Sequence, residues 1–121
     1  MELTKEIQTA ARRLGQCLRQ DDYIRKYLDA LEETRTNPEA NALETKMYAE
    51  YERLIAREQE GEILTYEDTR EFFELRQQVQ DNPLISRRNR THRQIRPYVH
   101  QIAEEISFVL GVDYTPLAKP H

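Results

Sequence analysis

Apolar side chains recur at intervals of three and four residues along most of this chain, which is the pattern of a helix with one apolar face. The first run predicts a helix over about residues 5–20, and Asp21 and Asp22 then provide side chains suited to cap a second helix. The apolar positions of the first run are Leu3, Ile7, Ala11, Leu14 and Leu18.

Two Asn-Pro pairs and two glycines mark further helix ends. Asn37 and Asn82 suit the cap position, and the proline after each fits the first helical turn, where its missing N–H is not needed. These pairs predict where a third and a fifth helix start. The glycines predict that these two helices end near Gly61 and Gly111. Thr65, with an aspartate three residues later, predicts a capping box at the start of the fourth helix.

The fifth helix is the longest that the pattern predicts. The positions of its apolar seam lie alternately three and four residues apart from Ile85 to Val109, and this pattern does not shift at Pro97. We therefore expect one helix with a kink at that proline. At about 28 residues it would be roughly 42 Å long, whereas a compact chain of this size is roughly 35 Å across. We therefore expect the ends of the long helices to pack on a second copy, and we predict a homodimer.

Composition favours slender helices over a thick core. Only 38% of the 121 residues are hydrophobic, 33% are charged, and the mean hydropathy is −0.89. Helix-favouring residues dominate, and strand-favouring residues are sparse. We predict an all-α bundle of about five helices with long third and fifth helices. It would form a single domain over residues 3–111, followed by an irregular C-terminal tail over residues 112–121.

Charge is segregated along the chain, although the net charge is only −4. Residues 37–74 carry four basic and eleven acidic side chains, whereas residues 75–100 carry six basic and one acidic. The basic segment contains a run of five arginines without an intervening acid, and on a helix four of them would form a slowly winding stripe. The run consists of Arg87, Arg88, Arg90, Arg93 and Arg96.

Two interpretations of this arginine run stay open. It could neutralise phosphates and bind nucleic acid, or it could pair with acidic side chains within the chain, across a dimer, or on a partner protein. The acidic middle of the chain favours pairing, and no aromatic residue is interleaved to stack on bases. Candidate partner or nucleic-acid contacts are Arg87, Arg90, Arg93 and Arg96. The acids of residues 37–74 considered for pairing include Glu58, Glu60, Glu62, Glu67, Asp68, Glu71 and Glu74.

Patterns that would indicate catalysis or a bound metal do not occur in the sequence. The one cysteine, Cys17, cannot form an intramolecular disulfide or hold a multi-cysteine metal site by itself. The residues three before His92 and His100 are not glutamates, so a bundle di-metal site is not expected. His92 lies on the apolar seam and is predicted to be a packed histidine. We predict a protein that is not an enzyme and has no cofactor.

Tyrosines supply much of the large apolar area, since the chain has no tryptophan and three phenylalanines. Tyrosine and arginine are enriched at the centres of protein interfaces. The start of the chain has no apolar signal segment, and no apolar run approaches the length that spans a bilayer. We therefore expect a cytoplasmic protein without membrane insertion. Candidate positions for dimer contact or core packing are Tyr48, Tyr51, Phe72, Ile95, Val99 and Ile102.

Five short motifs follow one another along the chain. They are Ala11–Gly15, Asp22-Tyr23 through Tyr27 and Ala30, Met47-Tyr48 through Tyr51, Gln59–Gly61, and Asp81–Ile85. Their succession resembles the bacterial YlbF/YmcA family of small helical regulatory proteins. The likeness covers roughly residues 3–110, and it depends on the order and spacing of the motifs rather than on any one of them.

The resemblance implies a non-enzymatic, all-helical and usually dimeric protein. Characterised relatives act with the endoribonuclease RNase Y in mRNA processing and influence competence, sporulation and biofilm formation. The protein partner would then be an endoribonuclease or a related helical protein, with nucleic acid as the alternative that is not favoured. Some family complexes carry iron–sulfur clusters, but Cys17 alone cannot hold one, so that property is not carried over.

Overall fold

A computed structural model describes residues 1–120, and His121 lies outside the described residues. The described chain contains helices and no strand, which confirms the predicted all-α bundle, with one short helix more than predicted. The third and fifth helices are the longest, as the sequence predicts, at 22 and 28 residues. The helices are α1 Lys5–Gln20, α2 Asp22–Arg35, α3 Pro38–Gln59, α4 Tyr66–Asp81, α5 Pro83–Leu110 and α6 Thr115–Ala118.

The predicted caps form at the starts of α3 and α4. The Asn37 side chain accepts a hydrogen bond from the backbone N–H of Ala40 at 2.9 Å, with Pro38 in the first turn. Thr65 and Asp68 form a reciprocal capping box, in which each side chain accepts from the other residue's backbone N–H. These local contacts satisfy backbone donors that the helix itself leaves unpaired.

The residues group into two compact units, of which unit 2 comprises Leu28–Asn89. Its core contains Ala40, Val79 and Ile85, and Leu43 and Met47 pack against them. Helices α3 and α4 pack on one another over this core. The core is small, as the low apolar content of the sequence predicts.

A buried threonine joins two segments of unit 2. Thr34 is 1% exposed, and its hydroxyl donates to the carbonyl oxygen of Ala30 at 2.8 Å and lies 3.2 Å from that of Leu84. Because a buried hydroxyl needs a partner, this contact fixes the end of α2 against the first turn of α5.

Unit 1 comprises residues 1–27 together with residues 90–120. Its buried apolar residues are Ile24 and Ile95. Helix α5 continues through Pro97, so the prediction of one helix is confirmed, while the predicted kink stays a prediction. Within residues 1–120, no helix combines the length and the apolar content needed to span a bilayer.

The chain after Gly111 is more regular than the sequence predicts. The expected irregular tail includes α6, which Pro116 favours by occupying the first helical turn. Ser107 fixes this segment to α5, because its hydroxyl donates to the carbonyl oxygen of Ala103 and accepts from the N–H of Tyr114 at 2.8 Å. A single domain over residues 3–111 stays a prediction.

Candidate interaction surface

The first two arginines of the run form ion pairs within unit 2. Arg87 donates from Nη1 to Oε2 of Glu33 at 2.7 Å. Arg88 donates to both carboxylate oxygens of Glu44, each at 2.7 Å, and the two side chains are only 21% and 16% exposed. A two-point contact of this kind fixes both side chains. The candidate contact residue Arg87 is therefore already engaged within the chain.

The other three arginines lie exposed on the part of α5 that belongs to unit 1. Arg90, Arg93 and Arg96 form no ion pair with any residue in the described part of the chain. No aspartate or glutamate occurs between Asn82 and Glu104, so their charges are not offset by acids on the same segment. We term these three residues the arginine surface.

A shallow groove of about 360 Å³ adjoins the arginine surface within unit 1. Ile95 is 8% exposed, whereas Val99 is 46% exposed and Ile102 is half-buried. The three candidate residues on α5 therefore range from core to surface. The groove, termed the α5 groove, is lined mainly by His92, Ile95, Arg96, Val99, His100 and Ala103.

The candidate aromatic residues of unit 2 also differ in exposure. Tyr48 and Tyr51 are 56% and 50% exposed on α3, whereas Phe72 on α4 is half-buried. The rings of Tyr51 and Phe72 lie 5.8 Å apart, centroid to centroid. Phe72 thus contributes to α3–α4 packing, and Tyr48 and Tyr51 leave apolar area open to a partner.

Two acids considered for the arginine run pair with a different arginine. In unit 2, Arg57 donates to Glu62 at 2.7 Å and to Asp68 at 3.2 Å. Hydrogen bonds from Thr65, reinforced by Arg57, lower the pKa of Asp68 below its usual value. Arg57 therefore neutralises two acids of residues 37–74. Within the chain the arginine run pairs with Glu33 and with Glu44, and Glu44 belongs to that acidic segment.

Helix α1 presents an apolar face that sequence reasoning did not identify as a surface. None of its residues is buried: Ile7 and Leu14 are 56% and 40% exposed, and Leu3, just before the helix, is 66% exposed. The spacing of these residues predicts the face correctly. It cannot predict whether another element covers that face, since a covered and an uncovered stripe have the same periodicity.

His92, His100 and Cys17 are at the surface. The packed position predicted for His92 is wrong, since the residue is exposed and its ring lies 5.5 Å from that of Tyr27. His100 lies 2.9 Å from Glu104, and Cys17 is exposed. Among residues 1–120, no group of three or more histidine, cysteine, aspartate or glutamate side chains is placed to hold a metal ion.

Comparison with known proteins gives one match. The model of the family described as "Control of competence regulator ComK, YlbF/YmcA" matches residues 7–110, which is most of the chain. No curated protein and no solved structure matches the chain.

Proposed function

Since the chain belongs to the YlbF/YmcA family of competence regulators, we propose that it is a non-enzymatic, cytoplasmic regulatory protein that acts by contacting other proteins. The proposal includes a homodimer and an adaptor role in ribonuclease-linked mRNA processing or developmental regulation. Its partner would be an endoribonuclease or a related helical protein.

The arginine surface is the observation that carries this proposal. Arg90, Arg93 and Arg96 are exposed without an acidic partner in residues 1–120, and Arg96 lines an apolar groove. Guanidinium groups next to exposed apolar area are typical of the centres of protein interfaces. A partner that places carboxylates on this surface would fill the groove with apolar side chains at the same time.

Capture from the lysate of the native host tests the proposal. We expect the wild-type protein to retain a specific protein partner after nuclease treatment, and we expect the triple variant R90E/R93E/R96E to lose it at least about tenfold, because like charges would then face the partner. The measurement is quantitative mass spectrometry of the retained proteins, with and without nuclease.

A second triple variant serves as the matched control. K26E/K46E/K119E changes the net charge by the same amount at three exposed lysines outside the arginine surface. It should retain the partner as the wild type does. Equal loss with both variants, or the same retained proteins with all three forms, would contradict the assignment of the contact to the arginine surface.

Nucleic-acid binding is the second candidate function, and the segment without acids between Asn82 and Glu104 favours it. If the arginine surface binds RNA, the retained material will disappear with nuclease, and the RNA affinity of R90E/R93E/R96E will fall with a shallower salt dependence. Unchanged RNA affinity of that variant at low salt would remove this candidate.

A further inference from the structure

We propose that a groove at the end of α5 binds a segment of a partner protein that presents arginine beside a bulky apolar side chain. The groove has a volume of about 640 Å³ and lies within unit 1. It shares no residue with the arginine surface, so it is a second contact site that goes beyond the proposed function. The groove, termed the C-terminal groove, is lined mainly by Glu104, Ser107, Phe108, Gly111, Val112 and Asp113.

Two segments form the walls of the C-terminal groove, and a hydrogen bond holds them together. The last turns of α5 form one wall, and the chain leaves the helix at Gly111 with a φ of +79°, which glycine adopts readily. The hydroxyl of Ser107 accepts from the N–H of Tyr114 at 2.8 Å and so holds the second wall, residues 111–113, against α5. Because the groove is formed before a partner binds, binding requires little ordering of this chain.

Phe108 and Val112 give the groove its apolar area. Their side chains are 86% and 58% exposed. Phe108 follows Glu104 by four residues on α5, so its ring and that carboxylate are neighbours on the helix surface. Around the helix axis, Phe108 projects about 120° away from the seam residue Ile102. The ring is therefore separate from the apolar seam of α5, and a partner would bury it in the groove.

The same groove contains carboxylates whose charge no lysine or arginine offsets. Residues 97–118 include three acidic residues and no lysine or arginine. Glu104 is 65% exposed and lies 2.9 Å from His100, and it forms no ion pair with a lysine or arginine of residues 1–120. Asp113 accepts the N–H of Thr115 with Oδ1 at 3.1 Å, and its Oδ2 has no partner in that part of the chain. The groove therefore attracts a cation.

The pairing of an exposed ring with carboxylates indicates which chemistry fits the C-terminal groove. A guanidinium group can stack on the ring of Phe108 and donate two hydrogen bonds to the Glu104 carboxylate, so one arginine makes both contacts. Phosphate-bearing ligands such as RNA or anionic lipid would be repelled. A purely apolar segment would bury the carboxylates without partners, at a cost in free energy. Charge complementarity thus selects an arginine-bearing segment.

A titration of the purified full-length protein tests this assignment. The probe is a labelled synthetic helix of alanine and glutamine that carries arginine and leucine side by side on one face. We expect saturable binding to the wild type, and we expect binding at least about tenfold weaker when glutamate replaces arginine in the peptide. The measurement is fluorescence anisotropy at low salt, where charge contacts are least screened.

Neutralising the groove should weaken binding of the arginine peptide. E104Q/D113N removes both charges with little change in shape, and asparagine keeps an oxygen that can accept from the N–H of Thr115. We expect binding at least about tenfold weaker than to the wild type. E58Q/E105Q is the matched control, because it removes two exposed carboxylates that do not line the groove. It should bind the peptide as the wild type does.

Removing the ring tests the apolar part of the contact. We expect F108A to bind the arginine peptide about tenfold more weakly, because a stacked ring and its buried area are lost. V109A is the matched control, since Val109 is 85% exposed next to Phe108 but does not line the groove. It should bind as the wild type does. Circular dichroism should show equal helical content in all variants.

Several outcomes would overturn the proposal. They are no saturable binding by the wild type, equal binding of the arginine and glutamate peptides, and wild-type binding by E104Q/D113N or by F108A. If these variants instead lower only the association of the protein with itself, the groove is a contact between copies and the proposal is overturned as well.

The arginine surface keeps this inference distinct from the proposed function. R90E/R93E/R96E changes no residue of the C-terminal groove, so it should still bind the arginine peptide. If peptide binding follows the predictions but no protein is retained from lysate, the groove assignment stands and the adaptor role fails. If a lysate partner depends on the arginine surface but the peptide does not bind, the proposed function stands and this inference fails.

Discussion

Tyr98 and Asp21 are 77 residues apart in the chain, yet they form a hydrogen bond of 2.6 Å between the phenol hydroxyl and the carboxylate. Asp21 also accepts from the backbone N–H groups of Tyr23 and Ile24, so it caps α2 and holds α5 at once. The Tyr98 hydroxyl, followed by the Ile24 N–H, holds the pKa of Asp21 below its usual value. The sequence predicts the cap, but it cannot predict the distant phenol.

Replacing Tyr98 with phenylalanine should make this link measurable. We expect the pKa of Asp21 to rise toward its ordinary value and the unfolding midpoint at pH 7 to fall. A lowered carboxyl pKa stabilises the fold above the unfolded-state pKa of about 4, and this contribution is lost as the pH falls through the folded-state pKa. The difference between wild type and Y98F should therefore shrink below about pH 4, as measured by denaturant unfolding.

Tyr23 offers the matched control for this variant. Its ring lies 6.2 Å from that of Tyr98, centroid to centroid, and its hydroxyl has no hydrogen-bond partner in the described residues. Y23F should leave both the unfolding midpoint and its pH dependence unchanged. An Asp21 carboxyl that titrates identically in Y98F and the wild type would contradict the assigned role of Tyr98.

At the scale of elements, the ends of helices follow from short-range chemistry. The Asn37 cap and the Thr65–Asp68 capping box form as predicted, because donor and acceptor are three residues apart and need no other element. The Arg88–Glu44 ion pair differs, since its partners are 44 residues apart and connect α5 with α3. The sequence indicates that acidic residues are available to pair with Arg88. It does not indicate which of them forms the ion pair.

The Arg88–Glu44 pair should contribute to the stability of unit 2. R88A should lower the free energy of unfolding by about 2 kcal/mol, because a two-point, largely shielded contact is lost and Glu44 is left without its partner. R35A is the control, since Arg35 contacts Glu32 with similar geometry but both side chains are over 60% exposed. R35A should cause no measurable change. Equal losses of unfolding free energy in R88A and R35A would contradict the prediction that shielding from solvent makes the Arg88–Glu44 pair the stronger one.

At the scale of the whole molecule, burial is distributed unevenly between the units. Unit 2 contains the cluster of Ala40, Val79 and Ile85, whereas α1 in unit 1 has no buried residue. A helix without buried apolar contacts gains little from tertiary packing and opens at low cost in free energy. We expect local stability to follow this distribution.

Amide hydrogen exchange should reveal this difference. In dilute protein, the amides of α1 should exchange at least about tenfold faster than those around Leu54, which is 5% exposed at the centre of α3. Mass spectrometry of peptides from both helices measures the rates in one sample, so α3 serves as the internal reference. Equal protection of the two helices would show that α1 is covered in solution.

The sequence by itself determined the helices, most of their ends and the family, because periodicity, caps and proline positions act over three or four residues. The arginine run was also visible in the sequence, together with the acids that could neutralise it. Only the tertiary structure decided that Arg87 and Arg88 are paired while Arg90, Arg93 and Arg96 are exposed. It also decided that His92 is at the surface and that the α1 face is uncovered. Burial and ion pairing depend on which distant segments meet, and local spacing does not contain that information.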